Sequence, residues 1–195
     1  MIHPDTCIRY IDETIGHGVF ATTAIPKGTI LWVMDPLDRC FTADQLASMD
    51  AVKREVILNH SFRNNKGEFV LCWDHTRYVN HSFSPNSYPT AYGLEIAIRD
   101  IAANEQITND YGFLNIIEPF EPVNEGVGRG IVTPNDLPSL YQEWDKTITE
   151  IIPELFRQNQ PLRPLIKDSL WQELEEVANG NSRLRSVLEL WFKEL

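Results

Sequence analysis

The sequence predicts an α+β protein, with a mainly β core of small antiparallel sheets followed by a helical C-terminal region. Two observations carry this. Short β-rich runs broken by turn signals fill residues 7–112, whereas apolar residues recur at helical spacing from residue 139 onward. Between them, residues 116–138 are rich in Pro, Gly and Asn and read as a long connection. The strands are too short and the turns too frequent for a doubly wound sheet.

In chain order, the β-rich runs are CIRYIDE, GVFATTA, TILWVM, EFVLCW, TRYVN, EIAIRD and QITNDY. IGHG, IPKG, NNKG and SPNS supply the turns. A helical patch interrupts them at about 42–62, with Thr42 as N-cap and Gln45 as its capping-box partner. Its uneven apolar spacing allows two short helices. Leu140, Trp144, Ile148, Ile152 and Leu155 then mark a C-terminal helix that Pro153 kinks or ends. A second helix covers roughly 165–178 and stops at Asn179-Gly180. A third is expected from about Arg183 to the end, with Leu184, Val187, Leu188, Trp191 and Leu195 on one side. Trp144, Trp171 and Trp191 read as core anchors of this region.

A chain of 195 residues suits one domain, or one with an appendage, and its 43% apolar content supports a core. The formal charge of −11 argues against direct nucleic-acid binding and fits a basic peptide or a cationic small molecule; solubility alone explains it equally well. Cys7, Cys40 and Cys72 are scattered and odd in number, which argues against a disulfide framework or a cysteine-built zinc site. Reduced thiols in a cytoplasmic protein account for them. No apolar run reaches the length of a membrane span, and MIHPDTCIRY lacks the plan of a signal peptide.

Three stretches could carry chemistry. In IGHGVFATTAIPKGTIL, Gly16 and Gly18 flank His17 and let backbone approach a ligand closely. This GxG leads into a strand, so it is no dinucleotide fingerprint, and alone it reads as a hairpin turn. In RYVNHSFSPN, Arg77, Asn80 and His81 form a polar group at the tip of an expected strand; alone this reads as a loop whose side chains cap nearby backbone. In NEQITNDYG, Glu105 and Asp110 bracket a short strand and Tyr111 precedes a glycine; alone it reads as a strand ending in a turn.

In this order the three stretches resemble the signature of SET-domain methyltransferases. That family carries a GxG segment with a VFA…I.KG strand and turn, here Gly16 to Gly28. An R-[FY]-x-N-H-S-x-x-P-N block follows, here Arg77 to Asn86, and an E-x-[LI]-T-x-D-Y-G block, here Glu105 to Gly112. The resemblance covers about residues 7–115, with the helical insert at 42–62; residues 116–138 are then a linker and 139–195 a helical C-terminal region. It implies small curved sheets with a last strand threaded, pseudoknot-fashion, through an earlier loop. It also implies transfer of the methyl group of S-adenosylmethionine to a lysine of a protein.

By the family pattern, Tyr111 is the active-site tyrosine. Gly16, His17, Gly18, Asn80 and His81 hold the cofactor. Arg77 contacts it or supports the loop, and Phe113 is an adenine neighbour or a core aromatic. No metal is implied. The partner expected is a basic protein or peptide, histone-like or ribosomal, added as a strand near the patch at 42–62, and the chain a monomer or weak dimer. Phe83 replaces a common Cys, the zinc-binding flanks of many members are missing, and Tyr88 and Tyr92 lie near where a channel aromatic is placed. Residues 116–195 are then expected to provide the lid. A SET-fold module without turnover and a metal hydrolase built on His75, His81 and Asp110 are the competing readings.

Overall fold

The structure is a computed structural model that describes residues 1–123, 126 and 129–193. Leu195 and part of the connection at 116–138 lie outside them. The strands are β1 (Thr6–Asp12), β2 (Gly16–Ala21), β3 (Ile30–Val33), β4 (Arg39–Phe41), β5 (Ser61–Arg63), β6 (Phe69–Leu71), β7 (Asn80–His81), β8 (Ser87–Pro89), β9 (Leu94–Ala97) and β10 (Gln106–Asn109). The α-helices are α1 (Ala43–Ala47), α2 (Ala51–His60), α3 (Asp136–Leu155) and α4 (Asp168–Ala178). Three small sheets result, ordered β1-β2-β10-β7, β3-β9-β8 and β4-β6-β5.

Local chemistry sets most boundaries. The helical patch is two helices: Thr42 and Gln45 form the reciprocal capping box of α1, and the Asp50 side chain caps α2 through Lys53 N. Pro153 sits within the last turn of α3, which ends at Leu155. Two expectations are corrected. TRYVN is no strand through Tyr78: residues His75–Tyr78 form a 3₁₀ turn, because the Asp74 side chain accepts from Thr76 N and Val79 N closes on Thr76 O. A local side-chain bond there overrides β propensity. The third C-terminal helix is replaced by a 3₁₀ turn, Val187–Leu190. Asp145 of α3 captures Ser186 Oγ at 2.6 Å and Val187 N at 2.8 Å, so the apolar residues of this segment dock without a helix of their own.

The helices share a core with a sheet. Ile30, Leu94 and Ile96 of the β3–β9 ladder pack with Leu137, Ile148, Ile152 and Leu155 of α3 and Leu174 of α4 in one buried cluster. Trp144 is buried in it, and Trp171 and Trp191 pack at its edge.

β10 is the threaded strand. On one side it runs antiparallel to β2, with Gln106 opposite Phe20 and Ile107 opposite Val19. On the other it runs parallel to β7, with Thr108 opposite Asn80 and Asn109 opposite His81. The arc 80–87 holds it further: Ser82 N donates to Asn109 O and Asn86 N to Thr108 O. The Asn86 side chain acts as one more strand residue, donating to Gln106 O at 2.8 Å and accepting from Thr108 N at 2.9 Å.

Candidate active site

The sheet order puts three distant stretches side by side. β2 presents Gly16, His17 and Gly18, β7 presents Asn80 and His81, and β10 between them leads directly into Tyr111. Asn80 Nδ2 donates to His17 O at 2.9 Å. A Cβ at Gly18 would meet Gln106 Nε2 and Ile11 Cδ1 at 2.7 Å and Asn80 Nδ2 at 3.1 Å, so a glycine is what lets β2 and Asn80 approach. Tyr111 N donates to His81 Nδ1 at 3.1 Å. That nitrogen is therefore placed as an acceptor toward the backbone of Tyr111.

Tyr111 lines a cavity of about 960 Å³. Its walls come from the end of α2 and β5, from β6, from the 3₁₀ turn before β7 and from residues 109–118. Gly16, His17, Gly18, Asn80 and His81 do not line it. Tyr111 thus touches both groups: its backbone N and its ring, 5.4 Å from the His81 ring, meet His81, and the residue lines the cavity. Its hydroxyl donates to Val79 O at 2.8 Å. Burial, aided by the Glu95 carboxylate, pushes the phenol up to about 12, so it keeps its proton at neutral pH.

Residues from the C-terminal side complete the site, and sequence reading did not single them out. Phe120 lies 5.7 Å from the His81 ring and 6.0 Å from that of Tyr111. Arg129 pairs with both Asp110 and Asp136, and its guanidinium lies over the Phe83 ring at 5.2 Å. Burial pushes the Asp110 carboxyl up, against the opposing pulls of Gly112 N–H and Arg129. A Cβ at Gly112 would meet Asp136 Cβ at 2.9 Å and Trp144 Cη2 at 3.1 Å, so this glycine admits α3 against the site. Phe83 stacks edge-on to His81 at 4.5 Å. Phe120 and Arg129 belong to no motif; ring contacts and the ion pairs with Asp110 and Asp136 reveal them.

The remaining expected residues do not join the β2–β7 cluster, though Arg77 and Phe113 line the cavity. Arg77 is exposed, with its guanidinium 5.3 Å over the Tyr78 ring, and belongs to the cavity wall. Phe113 is 2% exposed and stacked on Trp144 at 3.8 Å, with Tyr88 5.1 Å away, so its ring is a core aromatic of the α3 interface. Tyr88 and Tyr92 pack in or against the core and do not line the cavity. His75 bonds Thr6 Oγ1 at 2.8 Å. Among the described residues, no group of three His, Cys, Asp or Glu could hold a metal ion.

A threaded strand, a glycine hairpin beside it and a tyrosine that bonds His81 and lines the cavity define the class: an α+β protein of small curved sheets with one composite site. Residues 16–112 match the family model described as SET domain, and the chain belongs to the SET-domain family, whose members are generally methyltransferases. Among solved structures it is similar to a Plasmodium falciparum protein proposed to be a histone methyltransferase. The identity is 18% and the TM-score 0.42, over 56% of this chain and 95% of that one. No curated protein matches the sequence.

Proposed function

We propose that this chain is a protein-lysine N-methyltransferase that uses S-adenosylmethionine. The observation that carries the reading is the position of Tyr111, bonded through its backbone to His81 and lining the cavity. The residues on the β2–β7 side suit the cofactor. The Gly16 backbone is open, since a Cβ there would meet nothing within 4 Å, and Asn80 lies at the surface with only one of its amide hydrogens spent, on His17 O. Gly16, His17, Gly18, Asn80 and His81 would hold it. When bound, it supplies an electrophilic methyl carbon on a sulfonium.

The chain's own residues do the rest. The Tyr111 proton is committed to Val79 O, which leaves the hydroxyl oxygen as an acceptor that orients the target amine. With its pKa pushed up to about 12, Tyr111 is no base at neutral pH. A lysine in the cavity meets Trp32, Phe62, Phe69 and Leu94, and desolvation there lowers its own pKa toward the neutral, nucleophilic amine. A basic peptide suits the charge of −11.

The test mixes the protein with radiolabelled S-adenosylmethionine and histone. Label on lysine is expected, and Tyr111→Phe is expected to lower transfer by about 100-fold or more with cofactor binding intact. Cofactor binding without label in the unaltered protein would show a silent module. An absence of cofactor binding would remove the reading altogether.

A further inference from the structure

One ion cluster beside the site has no part in the mechanism above. Its centre is Arg129. The Nη2 of this residue pairs with Asp110, which precedes Tyr111, and its Nη1 with Asp136, in the first turn of α3. Its guanidinium lies over the Phe83 ring at 5.2 Å, and Phe83 meets the His81 ring edge-on at 4.5 Å. Asp110 and Asp136 are only 5% and 7% exposed, so both carboxylates are buried. Each is fixed by further bonds. Asp110 Oδ1 accepts from Gly112 N at 2.9 Å, and Asp136 accepts from Thr133 N and Thr133 Oγ1. The segment that carries Arg129 is anchored as well, since Phe120 and Val132 exchange backbone bonds of 3.1 and 3.0 Å.

Two buried carboxylates facing one point repel each other and lose hydration, and a guanidinium between them offsets both costs. An arginine does this with direction as well as charge: its planar fork fixes the oxygens it meets, whereas an ammonium is a point charge. Fixing Asp110 fixes the 3₁₀ turn it caps, Tyr111–Phe113. Fixing the Phe83 ring limits the tilt of the imidazole beside it. Both routes end on the bond between Tyr111 N and His81 Nδ1.

We infer that Arg129 is a positioning residue: it acts through Asp110 on Tyr111 and through Phe83 on His81, and by way of Asp136 it ties that pair to α3. The effect on turnover rests on the proposed methyl transfer; the clamp itself rests on the ion pairs and ring contacts. The charged and titratable groups facing Asp110 are Arg129 from the connection, His81 of β7 at 3.9 Å, Tyr88 of β8 and, across Arg129, Asp136 of α3. Burial pushes the Asp110 carboxyl up, against the pulls of Gly112 N–H and Arg129. Removal of the guanidinium therefore lets Asp110 take up a proton at higher pH, and the neutral acid is the weaker acceptor for Gly112 N.

The experiment follows the Gly112 amide and the Arg129 side chain of the full chain by NMR as the pH is lowered, and measures methyl transfer in parallel. In the unaltered protein the Arg129 Nη hydrogens are expected to give separate signals, because a clamped guanidinium does not turn freely; one averaged signal overturns the inference. In Arg129→Gln the acid-induced shift of the Gly112 amide is expected at higher pH, with transfer lowered by about 10-fold or more. Arg129→Lys keeps the charge but not the fork, so it is expected to hold the midpoint nearer that of the unaltered protein and still to lose transfer. A purely structural ion pair would lower the melting temperature alone: an unmoved midpoint in Arg129→Gln, or full transfer by both variants, overturns the inference. Should Arg129→Gln fail to fold, Arg129→Lys and the guanidinium signals of the unaltered protein decide. The NMR readouts need no methyl donor, so a protein that shows the clamp yet transfers no methyl keeps the clamp and loses the enzymatic reading.

Discussion

Burial of Glu95 of β9 bears on stability. Its folded pKa lies above the ordinary value of 4.5, because desolvation outweighs the hydrogen bonds from Ser87 and Asn109. The folded state therefore holds the proton more tightly than the unfolded chain. The contribution of Glu95 to stability is fully present below 4.5 and is lost as the pH rises through the raised value. Glu95→Gln, near in shape and uncharged, is expected to melt above the unaltered protein at neutral pH and to lose that advantage as the pH falls below 4.5. Thermal unfolding across this range checks it; a gap that stays constant with pH would show that Glu95 is not the group titrating. Asn80, His81 and Tyr111 were legible in the sequence because each sits inside a motif of fixed spacing. Glu95 was not, since within EIAIRD it reads as the polar partner in an alternating strand, and only the fold turns it inward. Phe113 can be read two ways in the sequence, and in the fold it both stacks on Trp144 and lines the cavity.

Among the elements, β10 depends on a single side chain more than on any other. The Asn86 amide satisfies both Gln106 O and Thr108 N, backbone groups that a neighbouring strand would normally serve. Asn86→Ala is expected to destabilise the protein by about 2–4 kcal/mol, since two groups of the threaded strand lose partners together. A lowered urea midpoint with an unchanged slope would fit; a change under ~0.5 kcal/mol would show that water replaces the amide without loss. The longer elements were readable from turn signals and helical spacing, including the capping box at Thr42. The three-residue strands β4, β5 and β8 were not, because so short a run carries no periodicity and owes its geometry to its neighbours. The failed third helix has the same origin: Asp145, some forty residues away, sets that segment.

At the scale of the molecule, the C-terminal region is both cover and foundation. Leu190 and residues 116–118 line the cavity, while Phe192 N bonds Asn115 Oδ1 and the Phe192 ring lies against Arg63 and Gly67. Trp144 meanwhile stacks on Phe113, two residues past the site tyrosine. Trp144→Ala is expected to cost about 3–5 kcal/mol and to weaken the site with the core. Truncation after Asn115 is expected to unfold the chain, seen as loss of the far-ultraviolet dichroism of the sheets; a truncated protein that stays folded but inactive would make the region a cover alone. This dual role was only half legible, because the sequence shows apolar faces but not what they meet. The manner in which β10 is held has a last consequence. A growing or refolding chain carries residues 16–21 and 80–87 as flanks without a centre until 106–109 slide in, so a fragment ending any earlier owns no pocket at all, and assembly of the site is timed by one of the last strands to be made.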